Sequence, residues 1–263
     1  MDPLSSNVYD LGQPLFPGMP HFPTHPPFLF CLTKLHGEMV LPSGASSSAD
    51  TITLGGHVGT HIDALSHFSC DGKLHGGYVP TQTYTGGIQE HSVDTIAPIL
   101  RPGVLFDIAG LEGVEALPED FVITPEHLEA CGVEPPAGGI ALIRTGWARY
   151  WRDAKRFITG GKGAVPRGPG PKLPAARWLS QRKIFAAGSD TVAFECVPSE
   201  MEVHVHLLVE NGIHIIECLN LESLAASGTK EFVFVALPLK IQGGTGSPIR
   251  PVALVNAVPQ IGN

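Results

Sequence analysis

Short apolar runs bounded by glycine recur along this chain of 263 residues. The runs 103–109 and 139–145 are typical of buried strands, because a strand covered on both faces is apolar at nearly every position. The same pattern predicts strands over 184–188, 213–219 and 231–239.

Three other segments have the features of helices. Residues 124–131 begin with a threonine in a suitable capping position, and a second helix-like stretch surrounds Trp178. A third helix is expected over about 203–211, where Gly212 takes the C-cap position. Since the sequence shows no fixed-period repeat and no clear linker, we expect residues 1–263 to form one domain.

Two segments are predicted to be irregular. Residues 1–50 are rich in proline, phenylalanine and histidine, and the run 16–28 cannot be helical because of its prolines. This N-terminal arm either packs on a neighbouring subunit or sheet, or forms an apolar wall of a substrate pocket. Residues 160–174 are rich in glycine, proline and lysine, which indicates a connector or a mobile lid.

Four side chains that bind metals or carry protons fall within eleven residues: His57, His61, Asp63 and His67. A single regular helix cannot gather all four, because successive residues turn by one full circle every 3.6 positions or so. The glycines at 55, 56 and 59 disfavour helix, whereas Thr60 is a suitable N-cap for a short helix starting near His61. We therefore expect Asp63 and His67 on one helical face, with His57 reaching them from the preceding loop.

Imidazoles combined with one carboxylate suit Zn²⁺, Mn²⁺ or Fe²⁺, and three ligands leave positions free for water or substrate. The alternative is a chance group of surface histidines. The run differs from the zincin pattern His-Glu-x-x-His because no glutamate follows the first histidine. The two-His-one-carboxylate arrangement of iron oxygenases is also compatible with these residue types.

Glu217 lies in the apolar run 213–219, where an ionised carboxylate is costly without a positive partner or a cation. His204 stands thirteen residues earlier, so a helix that folds back on the following strand would bring the two side chains together. His204 and Glu217 could thus complete or double a metal site. Two alternatives remain open: an arginine partner for Glu217, and His206 in place of His204.

Composition narrows the classes of function. A hydrophobic content of 43% supports a substantial core, and a net charge of −8 without a basic cluster argues against nucleic acid as a partner. The expected partner is a small-molecule substrate. Five cysteines without a Cys-x-x-Cys pair suggest neither a disulfide framework nor a thiolate zinc site. No apolar run approaches the roughly 20 residues that span a bilayer, and the N-terminus lacks a signal-peptide pattern, so we expect a cytoplasmic protein that is not bound to a membrane.

A nucleophilic serine or cysteine is not favoured, because the sequence contains no Gly-x-Ser-x-Gly elbow. No cysteine lies in an obviously activating setting. Cys70 follows the histidine run closely and is expected to be a buried thiol.

The run 57–67 is a complete His-x-Gly-Thr-His-x-Asp-x-x-x-His motif. With it, the chain resembles the cyclase family of metal-dependent hydrolases, which includes bacterial kynurenine formamidase, isatin hydrolase and a trans-dienelactone hydrolase. The resemblance extends over most of the chain, through segments 9–11, 188–190, 219–221, 237–239 and 246–250 and through the pair His204 and Glu217.

The resemblance implies an α/β fold with a mixed sheet of the swivelling β/β/α type, in homodimers or higher oligomers, with one or two divalent ions, Mn²⁺ or Zn²⁺, per chain. Carried over to this sequence, it makes His57, His61 and Asp63 metal ligands, His67 the general acid/base, and His204 with Glu217 the rest of a second metal position. Two departures leave the subgroup open. Leu65 stands where many formamidase-type members have proline, and the late histidine precedes the glutamate by thirteen residues instead of twelve.

The expected reaction is hydrolysis of a small cyclic amide, a lactone or an N-formyl amide by a metal-activated water. A metal-dependent lyase or cyclase, or another non-hydrolytic metalloenzyme, is the alternative, and a noncatalytic metal-binding protein is a further one. Phe22, Phe28 and Trp178 are candidates for stacking on a flat aromatic substrate, although such residues also form ordinary cores.

Overall fold

The computed structural model describes residues 6–256. Its strands are β1 (Ser6–Asp10), β2 (Leu29–Lys34), β3 (Ala49–Thr53), β4 (His61–Asp63), β5 (Gln82–Thr83), β6 (Gly87–Ile88), β7 (Ile99–Asp107), β8 (Val122–Ile123), β9 (Ile140–Arg144), β10 (Gly170–Pro171), β11 (Ala186–Ser189), β12 (His214–Glu217), β13 (Glu231–Ala236), β14 (Gly246–Pro248) and β15 (Val252–Asn256). Its α-helices are α1 (Ile108–Leu111), α2 (Pro125–Ala130), α3 (Ala154–Thr159), α4 (Leu173–Gln181), α5 (Glu202–His204) and α6 (Glu222–Ala226).

Nine strands form one mixed sheet in the order β1-β15-β13-β7-β9-β11-β12-β4-β14. The four strands β7, β9, β11 and β12 are parallel to one another, and antiparallel strands extend the sheet on both sides. The predicted α/β fold with a mixed sheet is confirmed. Two antiparallel strands, β4 and β14, follow β12 at the edge that carries the candidate site.

The parallel strands are apolar because both of their faces are covered. Ala141 and Ile143 of β9 point to a core shared with helices α2 and α4, whereas Ile140 and Leu142 point to a core shared with α6 and β13. This alternation is the two-residue period of a strand. All five predicted strands are present, at slightly different bounds.

The predicted helices are also present. Helix α2 follows Thr124, whose backbone N–H donates to His127 Nδ1 at 3.0 Å. Trp178 lies in α4. The third predicted helix starts as α5 and continues over Val205–Glu210 as a π-helix, and Gly212 follows it with a φ of +64°. Such π-helical turns are frequent at functional sites.

The prediction of a helix starting near His61 is wrong. Residues 61–63 are strand β4, which pairs with β12 on one side and β14 on the other. The Thr60 hydroxyl, expected to cap that helix, instead donates to Cys218 O at 2.6 Å. Strand pairing with two distant segments overrides the local capping signal.

The N-terminal arm divides into three parts within the described residues. Strand β1 joins the sheet edge, and the proline-rich run 16–28 packs Met19 and Phe28 into a core with Val58 and Trp147. Strands β2 and β3 form a separate hairpin that is exposed on both faces. Residues 160–169 connect α3 to β10, which pairs with β8.

Two further predictions can be compared with the structure. Cys70 is exposed, so its expected burial is wrong: it lies in a tight turn with Lys73 at the surface. Within residues 6–256, no helix combines the length and the apolar character needed to cross a membrane.

Candidate metal centre

Strands β4 and β12 bring three side chains of the site together. His61 and Asp63 are two residues apart on β4, so both point to the same face, and His61 lies opposite Glu217 on β12. His61 Nε2 is 3.5 Å from Asp63 Oδ1 and 3.4 Å from Glu217 Oε2. All three residues are buried. The sheet therefore places two carboxylates and an imidazole around one point.

His57 reaches the same carboxylate from the glycine-rich turn before β4. Its Nδ1 lies 2.7 Å from Asp63 Oδ1, and its Nε2 lies 2.9 Å from Thr245 Oγ1. The ring also rests directly on Gly246 of β14, where a Cβ atom would lie 2.5 Å from His57 Cε1. Only a residue without a Cβ atom at position 246 leaves room for the His57 ring.

His204 completes the group from α5. Its Nε2 is 3.3 Å from Glu217 Oε1 and 4.0 Å from Asp63 Oδ2. Glu217 Oε1 also accepts a hydrogen bond from the Phe194 backbone N–H at 2.8 Å. The positive partners of Glu217 among the described residues are thus the two histidines, and the alternative of an arginine partner is wrong.

His206 does not compete with His204 for this position. Its Nδ1 is 2.6 Å from Glu210 Oε2 and its Nε2 is 2.9 Å from Ser180 Oγ. Both ring nitrogens are therefore engaged with residues outside the carboxylate group.

His67 follows β4 and stacks on His57, with ring centroids 3.8 Å apart and planes at 25°. Its ring also lies 4.9 Å from that of Phe68. His57, Asp63 and His67 offer nitrogen and oxygen atoms within 4.8 Å of one another, and so do His61, Asp63 and Glu217. Asp63 belongs to both groups, so it joins two adjoining halves of the site.

Burial lowers the pKa of a histidine, whereas a neighbouring carboxylate raises it, and the balance differs among His61, His67 and His204. Burial lowers the pKa of His67 to about 4. Burial also acts to lower the pKa of His61 and of His204, but Asp63, Glu217 and Glu195 outweigh it and raise both to about 10. In the metal-free protein, His61 and His204 are thus imidazolium ions beside the buried carboxylates, and His67 is neutral at pH 7.

The residues present fit a divalent cation. Asp63 Oδ2 is buried and makes no hydrogen bond, although an unpaired buried carboxylate oxygen is costly. Nitrogen and carboxylate donors are the ligands of Zn²⁺ and Mn²⁺. In two of the site histidines the ring nitrogen that points away from Asp63 also has a hydrogen-bond partner. His61 Nδ1–H donates to Gly59 O at 2.8 Å, and His57 Nε2 lies 2.9 Å from Thr245 Oγ1. Such outer contacts orient metal-binding imidazoles.

Four residues of the site were not predicted from sequence: His25, Phe68, Glu195 and Thr245. His25 Nδ1–H donates to His57 O at 3.3 Å, and its ring lies 5.2 Å from the His57 ring. Phe68 lies 4.9 Å from both the His67 ring and the His204 ring. His25 lies within the proline-rich run and Phe68 directly follows the motif, so their positions gave a signal in the sequence. Glu195 and Thr245 gave no such signal.

The three aromatic candidates are not brought together. Phe22 lies 5.9 Å from the His25 ring at the edge of the site, and Phe28 is buried in the core below the arm. Trp178 belongs to a different apolar cluster, where it packs on Phe106 and donates from Nε1 to Glu129 at 2.9 Å. The structure therefore separates Trp178 from the other two and places only Phe22 beside a site histidine.

Comparison with known proteins identifies the family of this chain. Residues 9–196 match the Cyclase family model, described as "Putative cyclase". An isatin hydrolase of Roseibium aggregatum is 29% identical over 212 residues, which cover 78% of this chain and 73% of the relative. A kynurenine formamidase of Bacillus cereus is 27% identical over 249 residues, which cover 94% of this chain and 97% of the relative.

A solved structure described as a novel cyclase superposes with a TM-score of 0.84 at 28% identity, covering 95% of this chain and 87% of the other. The mixed sheet with its histidine and carboxylate cluster is thus a cyclase-type fold. The chain belongs to the Cyclase family, as its motif predicted.

Proposed function

We propose that this protein is a metal-dependent hydrolase that opens a small cyclic amide or cleaves an N-formyl amide. The class of enzyme follows the curated relatives, whose names are isatin hydrolase and kynurenine formamidase. The observation that carries the proposal is the position of Asp63. Its Oδ1 contacts His57 and His61, while its buried Oδ2 has no hydrogen-bond partner and faces His204.

The residues that would hold the ion are His57, His61 and Asp63 on one side and His204 and Glu217 on the other. When bound, a Zn²⁺ or Mn²⁺ ion lowers the pKa of water to about 7 and polarises a carbonyl oxygen. Asp63 contacts His57 and His61 through Oδ1, and its Oδ2 lies 4.0 Å from His204 Nε2, so its carboxylate lies between the two sides.

His67 is the general acid/base of the proposal. Its ring stacks on His57 and is half-buried, and it is neutral at pH 7. A neutral imidazole nitrogen accepts the proton of the attacking water and then returns it to the leaving nitrogen of the amide. The C–N bond breaks as this proton arrives, and the products are a carboxylate and an amine.

Aromatic rings border this histidine group on two sides. Phe22 lies against His25, and Phe68 lies against His67 and His204. Rings in these positions suit a planar substrate, because flat aromatic molecules pack on aromatic faces and edges. The proposed substrates are therefore amides attached to or fused with an aromatic ring.

The test is hydrolysis of isatin and of N-formylkynurenine by protein stripped with a chelator, before and after addition of Mn²⁺ or Zn²⁺. We expect no turnover in the stripped protein and restored turnover of one substrate with metal. Full activity of stripped protein would overturn the metal dependence. Metal-loaded protein that hydrolyses neither compound would overturn the substrate class.

We also propose that the protein forms homodimers or higher oligomers, with the hairpin β2–β3 lying on a second copy. Its side chains Leu29, Phe30, Leu32 and Ile52 are 45–56% exposed, and a lone hairpin is only marginally stable in water. The hairpin adjoins an apolar groove of about 800 Å³ lined by Leu15, Leu54, Leu237 and Leu239. Light scattering should give a dimer or larger for the wild type.

The variants test which surface forms that contact. Phe30→Glu should yield a monomer, whereas Val165→Glu, at another exposed apolar position outside the hairpin, should leave the mass unchanged. A monomeric wild-type protein at micromolar concentration would contradict this proposal.

A further inference from the structure

Glu195 is fully buried on the segment between β11 and α5, and both hydrogen bonds of its Oε1 come from one residue. The backbone N–H of His204 donates to it at 3.0 Å, and the ring Nδ1–H of His204 donates at 2.7 Å. The Glu195 carboxylate thus fixes both the backbone of α5 and the orientation of the His204 ring.

This contact decides which nitrogen of His204 faces the metal centre. A neutral imidazole has one N–H donor and one acceptor nitrogen. Because Nδ1 donates to Glu195, the nitrogen that loses its proton when a metal binds is Nε2, which lies 3.3 Å from Glu217 Oε1 in the metal-free protein. A carboxylate behind a metal-binding histidine fixes the ring orientation and makes its free nitrogen a stronger donor.

The backbone around Glu195 is tightly held. Gly170 of β10 packs so closely that a Cβ atom there would lie 2.5 Å from Phe194 O. The Cys196 N–H donates to Pro171 O at 3.1 Å, and the Phe194 N–H donates to Glu217 Oε1. Two successive residues, 194 and 195, therefore orient both groups of the second half of the site.

The second oxygen of Glu195 makes no hydrogen bond, although it is buried. A buried carboxylate with an unpaired oxygen is costly unless positive charge lies near. The negative charge of Glu195 therefore lies on the Nδ1 side of His204 and favours a cation on the Nε2 side, next to Glu217.

We propose that Glu195 is a positioning residue, which holds His204 as an Nε2 ligand of the metal position formed with Glu217 and raises the affinity of that position. The inference rests on the proposed metal centre. It extends that centre to a residue outside the family motif.

The chain offers a matched control for this contact. Glu210 makes the same kind of carboxylate-to-Nδ1 contact, at 2.6 Å, with His206, which lies two residues after His204. However, His206 Nε2 meets a serine hydroxyl and no carboxylate. Removing the charge of Glu210 should therefore leave metal binding unchanged.

The experiment is a Zn²⁺ titration of the stripped full-length protein, in competition with a chromophoric chelator, for wild type, Glu195→Gln, Glu195→Ala and Glu210→Gln. We expect the glutamine at 195 to weaken one Zn²⁺ position about 10-fold and the alanine about 100-fold, with the other position little changed. Glu210→Gln should match wild type. In Co²⁺-loaded protein, Glu195→Gln should also change the visible absorption, whereas Glu210→Gln should not.

The outcomes separate this inference from the proposed function. If wild type binds Zn²⁺ and Glu195→Gln binds it equally tightly, the role of Glu195 is overturned and the metal centre stands. If wild type binds no Zn²⁺, the metal centre itself is overturned. Thermal melting identifies variants that do not fold, and the isosteric Glu195→Gln decides the question if the alanine variant is unfolded.

Discussion

A single methyl group at position 246 should damage the site through His57. The substitution Gly246→Ala places a Cβ atom 2.5 Å from His57 Cε1, 2.8 Å from Nδ1 and 2.9 Å from Nε2. Ordinary Cβ contacts lie at 3.4–4 Å, so the ring must retreat by about 1 Å. That shift breaks the contacts of Nδ1 with Asp63 and of Nε2 with Thr245.

A displacement of this size in a catalytic group costs on the order of 100-fold in rate. Overpacking should also lower the free energy of unfolding by about 1–3 kcal/mol. The assays are kcat/KM on the hydrolysed substrate, metal content after dialysis, and thermal melting. Gly168→Ala is the control, because a Cβ atom there meets only Val197 Cγ2 at 3.9 Å.

The double variant makes the prediction specific. The three atoms nearest the added Cβ all belong to His57, so Gly246→Ala should have little further effect on metal content in a His57→Ala background. Wild-type metal content and turnover in Gly246→Ala would refute the position of His57 in the site. Additive losses in the double variant would show that the methyl group acts elsewhere.

Three other outcomes are expected. His67→Ala should lower kcat about 10²- to 10⁴-fold with metal still bound, as for loss of a general base, and loss of the metal would make His67 a ligand instead. In the metal-free protein the pKa values of His61 and His204 are about 10, so both rings are protonated at pH 8 and must lose protons to bind metal. Calorimetry in buffers of different ionisation enthalpy should therefore show proton release, and affinity should rise with pH up to about 10; pH-independent affinity would contradict this. Phe68→Leu should raise KM for aromatic substrates more than for aliphatic amides, whereas Trp178→Phe, in the separate core cluster, should change neither, and equal effects would argue against an aromatic wall at Phe68.

Local sequence was sufficient for the elements whose signals lie within a few residues. The buried strands β7 and β9 followed from continuous apolar runs, and α2 followed from its capping threonine. The spacing of the motif identified His57, His61, Asp63 and His67 as one group, and the structure places them within contact distance. The family followed from the same motif.

The chain by itself therefore determined which residue types the site contains and most of the elements that carry them. Only the tertiary structure decided how they are arranged. Residues 61–63 are a strand because β12 and β14 pair with them from more than 150 residues away, and no local pattern encodes that pairing. For the same reason, sequence left His204 and His206 as alternatives, and it did not identify Glu195 or Thr245. Their roles depend on hydrogen bonds that exist only after the sheet and the π-helical turn have brought distant segments into contact.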